Sequence, residues 1–261
     1  MNLNLNGKNA LVCGSSKGIG KAAAIELSKL GANITLVSRS ADLMSDVIRQ
    51  LQTQGDQDHD FLVADFTDRH DLNKKVKGLV SGKPIHILIN NTGGPPAGPI
   101  VDADAESFIK AFHNHVLCNH MLAQLVLPGM KNAGFGRIIN IISTSVKQPL
   151  PNLGVSNTTR GAVASWAKTF SNEVGQFGVT VNNVLPGFTE TDRLKSIISN
   201  RASRLGKDLA SVASSMKSQV PLGRFAHPIE VAAAIAFLAS PAAAYINGIN
   251  LPVDGGRTKS L

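Results

Sequence analysis

The chain has 261 residues, 43% of them apolar, and a formal charge of +8 from 26 basic against 18 acidic side chains. That is enough apolar material for a substantial core, and no Pro/Ser-rich linker or composition shift divides it, so a single domain over residues 1–261 is expected. The apolar runs are far shorter than a membrane span, the Met1-to-Asn6 start lacks the regions of a signal peptide, and the positive charge comes without a Lys/Arg block or aromatics to stack bases, so a cytoplasmic protein with an anionic small-molecule ligand is expected, not a membrane or nucleic-acid binder.

Asn9 to Cys13 reads as a short buried strand, Gly14-Ser15-Ser16-Lys17-Gly18-Ile19-Gly20 as a glycine-rich turn, and Lys21 to Leu30 as a helix. Gly14 can bend sharply, and Gly18 and Gly20 admit a backbone or a pyrophosphate close to the helix N-terminus, where free N–H groups suit an anion. An ordinary strand-to-helix loop has the same pattern, so the following strands must decide. Cys13 and Cys118 form no disulfide or metal spacing and are expected to be buried thiols.

Asn33 to Ser38 is a second strand, ending at Ser38-Arg39. An acidic residue about 20 positions past the glycines binds a ribose 2′-hydroxyl, whereas a cation there favours the 2′-phosphate. Arg39, with Lys17 in the turn, therefore argues for NADP(H) over NAD(H); the alternative is two solvated cations. Ala41 to Gln54 is helical in pattern, Phe61 to Phe66 is a third strand, and Thr67 and Asp68 are capping candidates for a helix running to about Ser81. Ile85 to Ile89 then leads into Asn90-Asn91-Thr92-Gly93-Gly94-Pro95-Pro96. Strands alternating with helices imply a parallel sheet covered on both faces, with ligands beyond the strands' carboxyl ends.

The Gly14-x-x-x-Gly18-Ile19-Gly20 turn, the Asn90-Asn91-Thr92-Gly93 strand end and Pro186-Gly187 further on resemble the short-chain dehydrogenase/reductase family over nearly the whole chain, most of all its 3-oxoacyl-acyl-carrier-protein reductase-like members. The resemblance implies an α/β fold with a Rossmann-type, doubly wound, seven-stranded parallel sheet, hydride transfer with NAD(P), and a homotetramer. It also implies that Gly14, Ser16, Lys17, Gly18, Ile19, Gly20, Ser38 and Arg39 bind the cofactor, that Asp65 and Phe66 flank the adenine, and that Asn91 and Gly93 lie along it. Pro186, Gly187 and Thr189 would hold the nicotinamide.

Ala105 to Lys131 is expected to be one long helix. The family's proton-relay asparagine on this helix falls at His115, whose unperturbed pKa of about 6.5 would allow transfer near neutrality. His113, His115 and His120 lack nearby carboxylates and i, i+4 spacing, and no metal site is expected. Gly136 to Ser143 is the fifth strand, and Ser143 matches the serine that binds the substrate carbonyl, unless it only caps a turn. The family's tyrosine and lysine positions further on hold Ser156 and Arg160, on one face of a helix from Asn152 to about Gln176. A phenol of pKa near 10 can be pulled toward neutrality by a cation, but an aliphatic hydroxyl starts higher, so Ser156 is a poor acid or base. Arg160 stays protonated and can clamp ribose and offset an oxyanion. The lone tyrosine, Tyr245, is far away in sequence; Lys147 is a candidate proton donor if buried, or else a solvated loop lysine.

After a strand at Val179 to Leu185, the stretch of about 189–217 is the family's substrate lid. It carries Arg193, Lys195, Arg201, Arg204, Lys207 and Lys217 against Asp192 and Asp208, as suits an anionic or acyl-thioester substrate, though solvated helix faces would look the same. A helix over Ile229 to Ser240 and a strand near Asn247 to Asp254 close the chain. The expected function is an NADP(H)-dependent oxidoreductase acting on a carbonyl or alcohol at an atypical site. The alternative is a catalytically silent NADPH-binding protein or sensor of the same fold.

Overall fold

The computed structural model describes residues 1–260; Leu261, the last residue of the expected domain, lies outside the described residues. Seven strands form one parallel sheet: β1 (Asn9–Cys13), β2 (Asn33–Ser38), β3 (Asp60–Val63), β4 (Ile87–Asn90), β5 (Gly136–Ile141), β6 (Val179–Pro186) and β7 (Asn250–Val253), in the order β3-β2-β1-β4-β5-β6-β7. The helices are α1 (Gly18–Lys29), α2 (Ala41–Ile48), α3 (Arg69–Gly82), α4 (Ala105–Phe112), α5 (Cys118–Asn132), α6 (Gly154–Val174), α7 (Asp192–Leu205), α8 (Leu209–Lys217) and α9 (Pro228–Ala239). This is the expected doubly wound α/β sheet. The strand order reverses at β1 and β4, which puts the glycine turn and the Asn91 loop side by side at the carboxyl edge.

Alternation along the strands builds two cores. Ala10, Val12, Ile34, Leu36, Ile87 and Ile89 face Ala23, Leu27, Val231 and Ile235 of α1 and α9, whereas Leu11, Cys13, Val37 and Leu88 face Leu72 and Val76 of α3 and Leu122 and Val126 of α5. Both cysteines are buried, and burial pushes the Cys118 thiol up to about 11 and the Cys13 thiol higher still.

A polar row crosses this second face. Asn90 Nδ2 donates to Asn140 Oδ1 at 2.9 Å, Asn140 Nδ2 to Asn183 Oδ1 at 2.8 Å, and Asn183 Nδ2 to Asn250 Oδ1 at 2.8 Å. Each pair sits directly opposite in register, so the row fixes the alignment of β4, β5, β6 and β7 at the end where the site forms. Asn90 Oδ1, at the head of the row, is buried without a partner.

Three element boundaries differ from expectation by more than a residue or two for reasons that tertiary contacts supply. α2 stops at Ile48, because the chain leaves the helix to let the Gln52 amide donate to Ser28 Oγ on α1 and to bury Leu51. β3 ends at Val63, since Asp65 turns the chain by accepting from the Thr67 amide. The expected 105–131 helix is broken by a π turn at His113–Leu117, an extra residue that rotates His115 inward. The segment expected to be the substrate lid consists of two helices, α7 and α8, divided at Gly206, which caps α7 at φ +59°. Its own small core comprises Leu194, Ala202, Val212, Met216 and Phe225.

Asn140 both accepts and donates in the buried row, so Asn140→Ala leaves two amide groups unpaired. Each costs about 1–3 kcal/mol; urea unfolding of this variant is expected to show a loss of about 3 kcal/mol or more, against a small loss for substitution of the exposed Asn132.

Candidate functional site

The turn between β1 and α1 is shaped by close approach. Gly14 and Gly18 have φ of +58° and +60°, and a Cβ at Gly14 would strike the Asn91 carbonyl, while one at Gly20 would strike the carbonyl of Gly14. Asn91 Nδ2 bridges Cys13 O at 3.3 Å and Gly14 O at 3.2 Å. The Val37 amide donates to Ser15 Oγ at 3.0 Å, fixing the turn to β2. Lys17 stands at the cap position of α1 without a side-chain cap bond, and no acid lies in the first turn. The first amides of α1 are thus presented to an anion, and the turn has the shape and polarity a dinucleotide pyrophosphate needs.

Lys17 Nζ lies 3.2 Å from Asp192 on the lid, and Arg39 lies 4.0 Å from Asp65; all four side chains are exposed. Such pairs are weak and open readily to a competing phosphate. The Thr67 amide, with Arg39 adding to it, holds the Asp65 carboxyl below the usual carboxylate range. Phe66 packs against the core beneath α3 and α5, and Ile19 against the core under α1. Ser38 is buried and its Oγ accepts from the Ser40 amide; Ser16 and Lys17 line a cleft of about 1260 Å³ that continues to Thr191, Asp192 and Leu194 on the lid. Gly93 is exposed in the loop after β4. Pro186 ends β6, the Gly187 amide donates to Val253 O at 2.9 Å, and Thr189 Oγ1 donates to Gly187 O at 3.2 Å.

Ser143 follows β5, and its Oγ accepts from the Ser145 amide at 3.1 Å. The turn-capping role is real, but a hydroxyl also keeps a proton to donate, so capping does not exhaust it. Arg160 on α6 is 7% exposed and its Nη1 donates to Ile141 O at 3.0 Å, two residues before Ser143. Burial first, and Arg193 second, lower its guanidinium to about 10, which leaves it cationic at neutrality. Ser156 lies one turn earlier on α6 and is half-buried, as is Lys147 in the segment after Ser143. Tyr245 is fully exposed and precedes β7, at the sheet edge opposite the site.

His115 departs from expectation. It is 2% exposed, its Nδ1 pairs with Thr92 Oγ1 at 2.6 Å, and burial followed by the charge of Arg160 pushes its pKa down to about 3. The proton-relay expectation rested on titration near neutrality, and burial removes that basis: His115 is a neutral hydrogen-bonding group there. His113 instead pairs with Asn114, and His120 accepts from Trp166 Nε1 at 3.2 Å, so the three histidines turn to three separate partners. Two residues that the sequence did not flag join the site: Thr92, as the partner of His115, and Gly94, whose would-be Cβ lies 3.8 Å from both Arg160 Nη2 and Arg193 Nη2. Their signal was present only as a polar loop at a strand end.

The family model described as Enoyl-(Acyl carrier protein) reductase matches residues 14–258. The chain is a short-chain dehydrogenase/reductase. It is 32% identical to the 3-oxoacyl-[acyl-carrier-protein] reductase of Pseudomonas aeruginosa, with 97% of this chain and 98% of that protein covered. It is 30% identical to the 7alpha-hydroxysteroid dehydrogenase of Escherichia coli, covering 100% of this chain and 98% of that one. Among solved structures, L-sorbose reductase from Gluconobacter frateurii, complexed with NADPH and L-sorbose, superposes with a TM-score of 0.92 at 31% identity, with both chains covered in full. Short-chain dehydrogenase/reductases are NAD(P)-dependent oxidoreductases, and this chain shares their sheet, glycine turn and strand-end loops.

Folding keeps His115 neutral, whereas the unfolded chain protonates it below about 6.5. Stability is therefore unaffected above that pH and falls as pH drops from about 6.5 toward the folded value of about 3. The slope is at most about 1.4 kcal/mol per pH unit. Chemical denaturation at pH 7 and pH 5 is expected to show a clear acid loss in the wild type and a smaller one in His115→Gln, with the buried His86, also held low by burial, contributing the remainder in the same sense.

Proposed function

We propose that the chain is an NADP(H)-dependent oxidoreductase that interconverts a carbonyl and an alcohol at a site where Ser143 and Arg160 make the polar contacts. The observation that carries this reading is the buried Arg160 guanidinium, fixed on Ile141 O beside Ser143, at the same sheet edge as an uncapped α1. Gly14, Ser16, Lys17, Gly18, Ile19 and Gly20 would hold the pyrophosphate, Ser38 and Arg39 the 2′-phosphate, and Asp65 and Phe66 the adenine. Asn91, Gly93, Pro186, Gly187 and Thr189 would hold the nicotinamide half, with Arg160 on its ribose. The NADPH in the sorbose reductase relative supports the choice of cofactor. When bound, the nicotinamide supplies or accepts the hydride.

The chain's own residues set the rest. Ser143 donates a hydrogen bond from its Oγ–H to the substrate oxygen, keeping its proton, while still accepting from the Ser145 amide. Arg160 offsets developing negative charge on that oxygen; its guanidinium is itself buried and fixed, and a fixed cation acts strongly there. It holds its proton near neutrality, so proton transfer falls to other groups. Ser156, in the tyrosine's place, passes a proton between neighbours, and Lys147 supplies it. His115, neutral, orients Thr92 and the loop that carries Asn91. A homotetramer is the assembly we infer from the family.

Titration of NADPH fluorescence is expected to give saturable binding, weakened about tenfold or more in Arg39→Asp while NADH binding is not weakened. Binding of neither cofactor, or an unchanged preference in that variant, would remove the cofactor assignment. A positioned general acid contributes about 10²–10⁴ in rate. The double change Ser156→Tyr with Arg160→Lys is therefore expected to raise carbonyl reduction by about a hundredfold, and Lys147→Ala to lower it; an unaffected rate in Lys147→Ala would remove that residue from the mechanism.

A further inference from the structure

Arg160 and Arg193 come from different parts of the chain, α6 and the first turn of the lid helix α7, yet both guanidiniums approach the same glycine. A Cβ on Gly94 would sit 3.8 Å from each Nη2. Arg193 is held there by donating from Nη2 to Pro95 O at 2.8 Å. Arg160 uses Nη1 on Ile141 O and, among the described residues, gives its other nitrogens no partner, although it is only 7% exposed. Neither arginine has a carboxylate within ion-pair distance among the described residues; the lid's Asp192 is engaged by Lys17 and Lys195 instead.

Two cations brought to one glycine, with one of them buried, are an unfavourable arrangement by themselves, because desolvation and like-charge repulsion act in the same direction. Its cost is relieved by an anion between them. Guanidinium is a planar fork that suits a carboxylate in bidentate contact, which the point charge of a lysine in the same place would not provide. Gly94 keeps the space beside both forks free of a side chain. The position also places that anion relative to the chemistry: Ile141, which anchors Arg160, is two residues from Ser143, at most about 7 Å of extended chain.

Building on the oxidoreductase reading above, we propose that Arg160 and Arg193 form a carboxylate subsite next to the reacting carbonyl, so that the substrate is a small oxo acid and the product the corresponding hydroxy acid. The hydride goes from NADPH to the carbonyl carbon, a proton goes to its oxygen, NADP⁺ leaves, and the carboxylate passes through unchanged. Because Arg193 belongs to the lid and Arg160 to the body, a bound carboxylate also ties the lid down over the site. Acids too large to place both groups, and uncharged ketones, lack this contact.

The subsite is tested by equilibrium binding to the NADP⁺-loaded protein, which has no hydride to give, and to the protein alone, using short 2-oxo and 3-oxo acids paired with their methyl esters, which keep the carbonyl and lose the charge. At least one acid is expected to bind about tenfold or more tightly than its ester. Arg193→Gln, an exposed position whose change should leave folding intact, is expected to abolish that preference without altering NADPH affinity, and Arg193→Lys to restore only part of it. A purely structural role for Arg193 would weaken acid and ester alike, and that result would overturn the proposal. So would an acid-to-ester ratio near one across the panel, or inorganic phosphate binding more tightly than every acid. Acid selectivity in a protein that binds no NADPH would uphold the subsite and remove the oxidoreductase reading; NADPH binding without acid selectivity would do the reverse.

Discussion

The Asn91 side chain, wedged between the carbonyls of Cys13 and Gly14, is the contact on which the site depends. It is possible only because Gly14 and Gly20 carry no Cβ, for either methyl would collide with backbone. Through it the first β–α turn and the loop after β4 become one rigid unit at the point where strand order reverses. Everything chemical is then hung from that loop: Asn90 heads the buried amide row, Thr92 holds His115, Gly94 faces two arginines, and Pro95 accepts from the lid.

The buried polar groups divide into those that are satisfied and those held in reserve. The asparagine row is a closed chain of donors and acceptors except at Asn90 Oδ1, and it specifies register across four strands in a part of the sheet that apolar residues alone would align less strictly. His115 is satisfied as a neutral group. Arg160 differs from both, as a buried cation with a single carbonyl acceptor and a second cation nearby. Stable cores do not leave such charges unpaired, and a strained electrostatic arrangement at a strand end belongs to binding more than to folding. In the function we propose, a serine in the tyrosine's place and this arginine act together, trading acid–base capacity for a capacity to grip and polarise an anionic substrate.

The doubly wound sheet, the glycine turn and the strand-end loops were all legible in the residues, because alternating buried strands and helices fix the fold class and glycines fix the turn. So was the placing of Ser143 after β5 and of Ser156 and Arg160 one turn apart on α6. Less legible were the places where a tertiary contact outweighs a local pattern. Gln52 leaves a helix to reach Ser28, Asp65 ends a strand by turning on Thr67, and an extra residue at His113–Leu117 turns one histidine inward while its neighbours face elsewhere.

By itself, then, the sequence determined the architecture and which side chains stand at the carboxyl edge, since hydrophobic period and glycine placement are local properties of the chain. Protonation state and partnership were decided only by the tertiary structure. Burial against Arg160 takes His115 from a group that titrates near neutrality to one that stays neutral, and the meeting of Arg160 with Arg193 at Gly94 joins positions that no spacing rule relates. Both effects come from desolvation and through-space charge, which depend on what folding brings close and not on what is adjacent along the chain.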